Sequence, residues 1–277
     1  MPFDDRLKNT QTPHRVYALC KLIQYNQSLT KEELCQYLQP SSLNKNDDVF
    51  KNVYDLADKG ELIARGSDGN VILNLTDHEM ASIDSFRRAI ANRAFDNPQL
   101  TFCRFTAWYL MRGPEVYSEK SKDLVVHFDR EININKDINM YNETNVIGWR
   151  TWVCFLGLGF IHNGIVVPNA ARRLQDVLGE DRQMERDRPI AFKDFIVWLN
   201  QHCPELDYGE LSHNNRGQAV VREQNLSLAL SAGLRALHDS GKIKLGYVRD
   251  ARDVWYLESA ATHEITGAVS EIVIGRW

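Results

Sequence analysis

Two segments far apart in this chain follow one pattern, and that repeat limits the possible folds more than any other feature. Val53-Tyr-Asp-Leu-Ala-Asp-Lys-Gly-Glu-Leu-Ile, ending at Ile63, matches Leu234-Arg-Ala-Leu-His-Asp-Ser-Gly-Lys-Ile-Lys, ending at Lys244. Each reads apolar, two spacers, Leu, three spacers, Gly, polar, Leu or Ile. Apolar residues three apart mark one face of a helix. The Gly four places after the Leu is expected to end that helix in a left-handed cap, a conformation Gly adopts without strain. Short alternating strands follow both times. The first pair surrounds Ser67-Asp68-Gly69-Asn70 and the second Arg249-Asp250-Ala251-Arg252, so a hairpin is expected at each.

Helical patterns precede each hairpin. In the first module, Arg15 to Gln24 is apolar at Val16, Leu19, Cys20 and Ile23, one 3.6-residue stripe. Thr30 and Glu33 form a capping-box signature ahead of Leu34, Tyr37 and Leu38, and a third helix is predicted from about Asp47 to Lys59. The last module repeats the order: Phe192 to His202, a short helix near Tyr208–Leu211, then Asn225 to Ser240 with Asn225 as N-cap. Between them lies a degenerate copy. It consists of Phe102 to Met111, Lys120 to Phe128, Trp149 to Leu158 and a tight turn at Asn163-Gly164, with an Asn-rich irregular stretch from Glu131 to Asn145. Connector helices are expected at Asp77–Ala94, capped by Thr76 with Glu79, and at Asn169–Asp187. The second carries charges of both signs and reads as a solvated helix with an apolar face of Ala171, Leu174, Val177 and Leu178.

Three helices followed by a hairpin is the order of a winged helix. The expected fold is therefore mainly α with small β-hairpins: two to three winged-helix (helix-turn-helix) modules joined by helices. The modules span 12–76, 100–168 and 190–260, the connectors 77–99 and 169–189, and a tail 261–277. A composition of 43% hydrophobic and 25% charged residues in 277 is that of a globular protein and excludes disordered or collagen-like classes. The longest apolar run, Val153 to Ile161, is far short of a membrane span of about 18 residues, and reads as a buried helix-to-strand corner. The polar start MPFDDRLKNT shows no secretory signal. Five widely spaced cysteines without a CxxC pair are expected to be free thiols in a reducing cytoplasm, with no zinc.

No phosphate loop, HExxH, GxSxG or EF-hand motif occurs, and Gly157-Leu-Gly-Phe is read as a helix stop. The eight histidines are scattered, and the neighbours His202 and Cys203 point about 100° apart on a helix. Glu205, Asp207 and Glu210 form a small acidic cluster that is read as helix N-terminal decoration rather than a metal site. The chain is therefore expected not to be an enzyme and to hold no cofactor or metal. A net charge of −4 argues against a generic polyanion binder but leaves room for a local basic face. That face is sharpest in the last module, where Asn214, Asn215, Arg216 and Arg222 precede the long helix and Lys242, Lys244, Arg249 and Arg252 lie on or beside the hairpin. Asn and Arg read base edges, and wing cations hold phosphates. Asp250 and Asp253 are interleaved with those cations. The first module's third helix carries Asp47, Asp48, Asp55 and Asp58, which suits protein contact better than DNA. Trp108, Tyr109, Trp149, Trp152, Phe155 and Phe160 are expected in the core.

The two helix–Gly–hairpin repeats, the segment Gly148-Trp-Arg-Thr-Trp-Val-Cys-Phe-Leu-Gly-Leu-Gly-Phe-Ile and the pattern around Leu237 to Leu257 resemble accessory proteins of prokaryotic genome-defence clusters. Among these the chain is similar to the G component of the Dpd system, which is associated with 7-deazaguanine DNA modification and restriction. The resemblance implies a non-catalytic role in an anti-phage, DNA-modification and restriction assembly. The implied partners are double-stranded DNA, bound weakly by the chain alone, and protein subunits such as a helicase, nuclease or ATPase, with no membrane. It carries over no catalytic residue. A second similarity, to kite-like subunits of SMC-type complexes, implies a protein that grips a kleisin.

Overall fold

The computed structural model describes residues 7–132, 141–217, 224–260, 263–264 and 267–277. The chain is mainly helical, and among the described residues the largest sheet has three strands. In chain order come α1 (Pro13–Tyr25), α2 (Lys31–Leu38), α3 (Asp48–Lys59), β1 (Ile63–Arg65), β2 (Val71–Leu73), α4 (Ile83–Ala94), α5 (Thr101–Met111), α6 (Ser121–Glu131) and α7 (Glu143–Phe155). Then follow β3 (Gly159–His162), β4 (Ile165–Pro168), α8 (Ala171–Glu180), β5 (Pro189–Ala191), α9 (Phe192–His202), α10 (Glu210–Asn214) and α11 (Leu228–Asp239). The last strands are β6 (Ile243–Gly246), β7 (Trp255–Tyr256), β8 (Ala268–Val269) and β9 (Glu271–Ile274). The chain divides into two compact units, Met1–Phe102 with Asn135–Leu156, and Cys103–Ile134 with Gly157–Trp277.

In the first unit, the α1 stripe of Val16, Leu19, Cys20 and Ile23 is fully buried and meets the inner face of α3, where Phe50, Val53, Leu56 and Ala57 point inward. The Thr30–Glu33 capping box forms as read: Thr30 Oγ1 accepts from Glu33 N–H, and Glu33 accepts from Thr30 N–H at 2.8 Å. Such a cap stabilises a helix by about 1 kcal/mol. The hairpin pairs Ile63 with Leu73 and turns at Gly69, whose φ of 79° needs no side chain. The helix stop differs from expectation. Gly60 stays right-handed at φ −76°, and Glu61 takes the left-handed position at φ 55°. The helix keeps one more residue because Gly60 N–H still reaches Leu56 O.

The helix expected over 77–94 starts later. Thr76 and Glu79 close their capping box, but Ser82 is extended (φ −149°) and caps a fresh start at Ser85, so α4 begins at Ile83. α7, by contrast, begins before the predicted Trp149. Asn142 and Asn145 cap each other reciprocally, making 143–145 helical where the Asn-rich stretch was read as irregular; 133–140 lie outside the described residues. Gly148 lets Leu7 cross this helix, since a Cβ there would stand 3.1 Å from that of Leu7. Trp152 Nε1 donates to Gln11 O at 2.6 Å and Asn145 Nδ2 to Leu7 O at 3.0 Å, which fixes the incoming chain on α7.

In the second unit, α5 is buried almost all round, with Phe105 edge-on to Phe128 of α6 at 5.0 Å. β3 and β4 pair around Asn163 (φ 48°) and Gly164 (φ 76°), the two left-handed residues of the expected tight turn. Phe160 and Ile161 are about half exposed on this hairpin, so the corner is not buried there and Phe160 is not core. α8 ends at Glu180, not Asp187. The Asp181 carboxylate accepts from Gln183 and Met184 N–H, and the Arg186 guanidinium takes up the carbonyls of Leu178 and Asp181. α8 is also not the solvated helix its charges suggested, because Arg173 is 3% exposed and Asp176 9%.

The largest departure concerns the C-terminal residues. The tail expected at 261–277 supplies β9, the central strand of the sheet β5-β9-β6, and β8, which pairs with β7. β6 and β7 are both antiparallel to the 268–274 segment. The chain therefore runs one way past that segment, and residues 247–254 leave the ladder as a loop. The two strands read as a hairpin around Arg249–Arg252 do not pair with each other.

Candidate nucleic-acid interface

The predicted basic face lies in the second unit, and its residues do not share one environment. Lys244 is exposed on the outward face of β6, while Ile243 and Leu245 alternate inward. Arg249 and Arg252 are exposed in the 247–254 loop, where Ala251 N–H donates to Val248 O and Asp250 takes φ 71°. Lys242 is half-buried. Asn214 is exposed at the end of α10. Asn215 is buried: its Nδ2 donates to Leu211 O at 2.8 Å and its Oδ1 accepts from Arg104 Nε at 3.4 Å, so its amide is spent on the fold. Arg216 is half-buried, its guanidinium 5.7 Å from the centre of the Tyr208 ring. Arg222 lies outside the described residues.

Tyr208 organises this region. Its φ of 63° is a strained value for an aromatic residue. Its ring stands edge-on to Trp255 at 5.0 Å, and its hydroxyl donates to Asn225 O at 2.8 Å. Asn225 is thereby part of a bridge to Tyr256 rather than the helix cap. Ser227 caps α11 instead, accepting from Leu230 N–H. The Tyr256 backbone is held on both sides, donating to Gln224 O and accepting from Leu226 N–H, each at 2.8 Å. Trp255 points inward onto Phe192, whereas Tyr256 points out.

The charge of this face is modest. Residues 242–254 carry four cations and two carboxylates. Lys193 Nζ approaches Asp253 at 3.9 Å with both side chains exposed, a pair of little energetic weight. α11 offers no exposed cation to a groove, and the residue it exposes is Asp239. Ala229, Leu230, Ser231, Gly233, Leu234, Arg235 and Leu237 are buried, and Gly233 packs so closely on α8 that a Cβ would stand 2.8 Å from Ala171 N. In the first unit the exposed positions of α3 are Asp48, Lys51, Asp55, Asp58 and Lys59, mixed and acid-rich.

The acidic trio is built into the fold. Arg173 Nε donates to Glu205 Oε1 at 2.8 Å, and Glu205 is fully buried. Burial works against the Arg173 charge, but Glu205 outweighs it and holds the guanidinium pKa above its ordinary value. Asp207 is buried and accepts from Ser227 Oγ at 2.6 Å and from Ser227 N–H, which ties 207 to the start of α11. Burial raises its carboxyl pKa in spite of those bonds. Only Glu210 remains exposed, in the first turn of α10. All five cysteines are free, and burial pushes the thiols of Cys20, Cys154 and Cys203 up to about 12, so they are not thiolates at neutral pH. Among the described residues no group of three His, Cys, Asp or Glu is placed to hold a metal ion, and no helix is long and apolar enough to cross a membrane.

The profile of the DpdG-like family matches residues 7–251. The chain belongs to the DpdG-like family. No curated protein and no solved structure matches it. The family points to a component of a Dpd-type defence and DNA-modification system. The matched span takes in both units of this DpdG-like protein and stops inside the 247–254 loop, so β8 and β9 lie beyond it. Sequence reasoning placed Tyr208 in a short helix near 208–211, which instead starts at Glu210, and gave no part to the exposed Tyr247 and Tyr256 of this DpdG-like chain. Only the last left a usable trace, the alternation of buried Trp255, exposed Tyr256 and buried Leu257.

Proposed function

We propose that this protein is a non-catalytic subunit of a Dpd-type assembly that holds DNA through the 247–254 loop and β6, weakly by itself, and meets protein partners through its first unit. The observation that carries this reading is the contrast of exposures. Lys244 on β6 and Arg249 and Arg252 in the loop that follows it face solvent, interleaved with the exposed Asp250 and Asp253, while α11 exposes no cation and α3 is acid-rich where exposed. Contacts from such a surface go to phosphates, which position a protein without reading sequence. The helix order α1, α2, α3 and the β1–β2 hairpin, with Thr30 bridging Asn70, support a winged-helix reading of the first unit. A non-enzymatic role is supported by what Glu205 and Asp207 do: one neutralises Arg173 and the other anchors Ser227.

Fluorescence anisotropy with labelled DNA at low salt tests the reading. Wild type is expected to bind in the non-specific range, roughly 10⁻⁴–10⁻⁶ M, with a strong salt dependence. Lys244→Ala, Arg249→Ala and Arg252→Ala together should remove binding, whereas Lys51→Ala with Lys59→Ala should not. The opposite pattern reverses the assignment. Absence of DNA binding with and without partner proteins makes the chain a scaffold for proteins alone.

A further inference from the structure

We propose that the DNA held by this surface is single-stranded, its bases stacking on Tyr247 and Tyr256. The inference rests on the reading above and names the form of nucleic acid it takes. Tyr247 is 55% exposed just past the end of β6 and Tyr256 47% exposed within β7. They stand at the two ends of the loop that carries Arg249 and Arg252, with Lys244 three residues before Tyr247.

Tyr256 is rigidly presented. Its backbone is bonded to Gln224 and Leu226 and pairs with Ala268, and the neighbouring Trp255 is locked inward against Phe192 and Tyr208. An exposed aromatic ring on a fixed backbone presents a flat surface to a base at little ordering cost, and every base has a face that fits it. Between the two rings Arg249 and Arg252 alternate with Asp250 and Asp253, so the phosphates that link successive bases are met by these two arginines together with Lys242 and Lys244 ahead of Tyr247. A duplex hides its base faces, and a major groove is read by a helix or a two-stranded ribbon of matching size. Here α11 exposes only Asp239, and β6 and β7 do not form a ribbon with each other, so the exposed chemistry matches an unpaired strand better than a groove.

The test compares a fluorescein-labelled mixed-sequence 20-nucleotide strand with the same strand annealed to its complement, titrated with the full chain at low salt. The strand alone is expected to bind at least tenfold more tightly. Tyr247→Ala with Tyr256→Ala should abolish that preference while leaving the salt slope unchanged. Tyr247→Phe with Tyr256→Phe should retain it, because stacking needs the ring and not the hydroxyl. Matching thermal melts for wild type and the two double variants exclude loss of fold as the cause. Equal or tighter binding of the duplex, or Tyr→Ala variants that keep the preference, overturns this proposal and leaves the loop-cation reading intact. Binding of neither form overturns both.

Discussion

Replacing Glu205 by Gln tests the account of the acidic cluster through stability. The pair with Arg173 is 2.8 Å long, with side chains 0% and 3% exposed. Glu205→Gln keeps the shape but leaves the guanidinium buried without its counter-charge. Breaking a buried pair from one side costs about 3–5 kcal/mol. Asp176 also acts on the Arg173 charge, which puts the expected loss at the low end, about 3 kcal/mol. That is roughly a 150-fold change in the unfolding constant. With a urea slope of about 1–3 kcal/mol/M, the midpoint of the second unit's transition falls by about 1–3 M. Tryptophan fluorescence follows it, since Trp198 and Trp255 report from this unit. The double replacement Arg173→Met with Glu205→Leu should recover most of the loss, because apolar side chains of similar size replace buried pairs at little cost. A Glu205→Gln protein within about 0.5 kcal/mol of wild type refutes the structural role and returns this carboxylate to the list of chemical candidates.

Other consequences are open to measurement. Burial raises the Asp207 pKa in the folded state, so its stabilising contribution is present at low pH and lost as pH rises through that raised value. The stability of wild type relative to Asp207→Asn should therefore be greater at acid than at alkaline pH; a difference that is flat or grows with pH contradicts the shift. Glu61→Gly should stabilise the first unit by up to about 1 kcal/mol, because Glu61 holds φ 55° at a position that suits Gly. Calorimetry reads this as a rise in melting temperature, and a fall would show that the Glu61 side chain matters more than its backbone. Ending the chain after Ala260 removes β8 and β9, the second of which lies between β5 and β6. Limited proteolysis should then cut the second unit rapidly, and unchanged protection would show that the sheet is dispensable.

Much of the helical order was legible from the residues. α9 forms over Phe192–His202, the bounds expected from the sequence, and buries Phe192, Phe195, Ile196 and Leu199. The Thr30–Glu33 box and the Asn163-Gly164 turn were likewise visible, since both are local chemistry with fixed spacing. What failed was long-range or reciprocal. β9 is four residues, Glu271–Ile274, and its partners lie about 30 and 80 residues upstream, a pairing no local pattern announces. The start of α7 depends on two asparagines capping each other, where a Thr–Glu box would have been recognised. The burial of Arg173 was hidden because its partner Glu205 sits 32 positions away, so mixed charges on α8 read as a solvated face. At the candidate interface the cations were legible as a cluster, but the loss of Asn215 to Leu211 and Arg104 was not, nor was the exposure of Tyr247.

The proposed DNA contact lies on the second unit's 247–254 loop and β6. Ultraviolet crosslinking of the full chain to a photoreactive oligonucleotide, followed by peptide mapping, tests it directly. Crosslinks are expected within residues 242–256, with Tyr247 and Tyr256 foremost. Crosslinks confined to 45–59 on and around α3, with none in 242–256, contradict it.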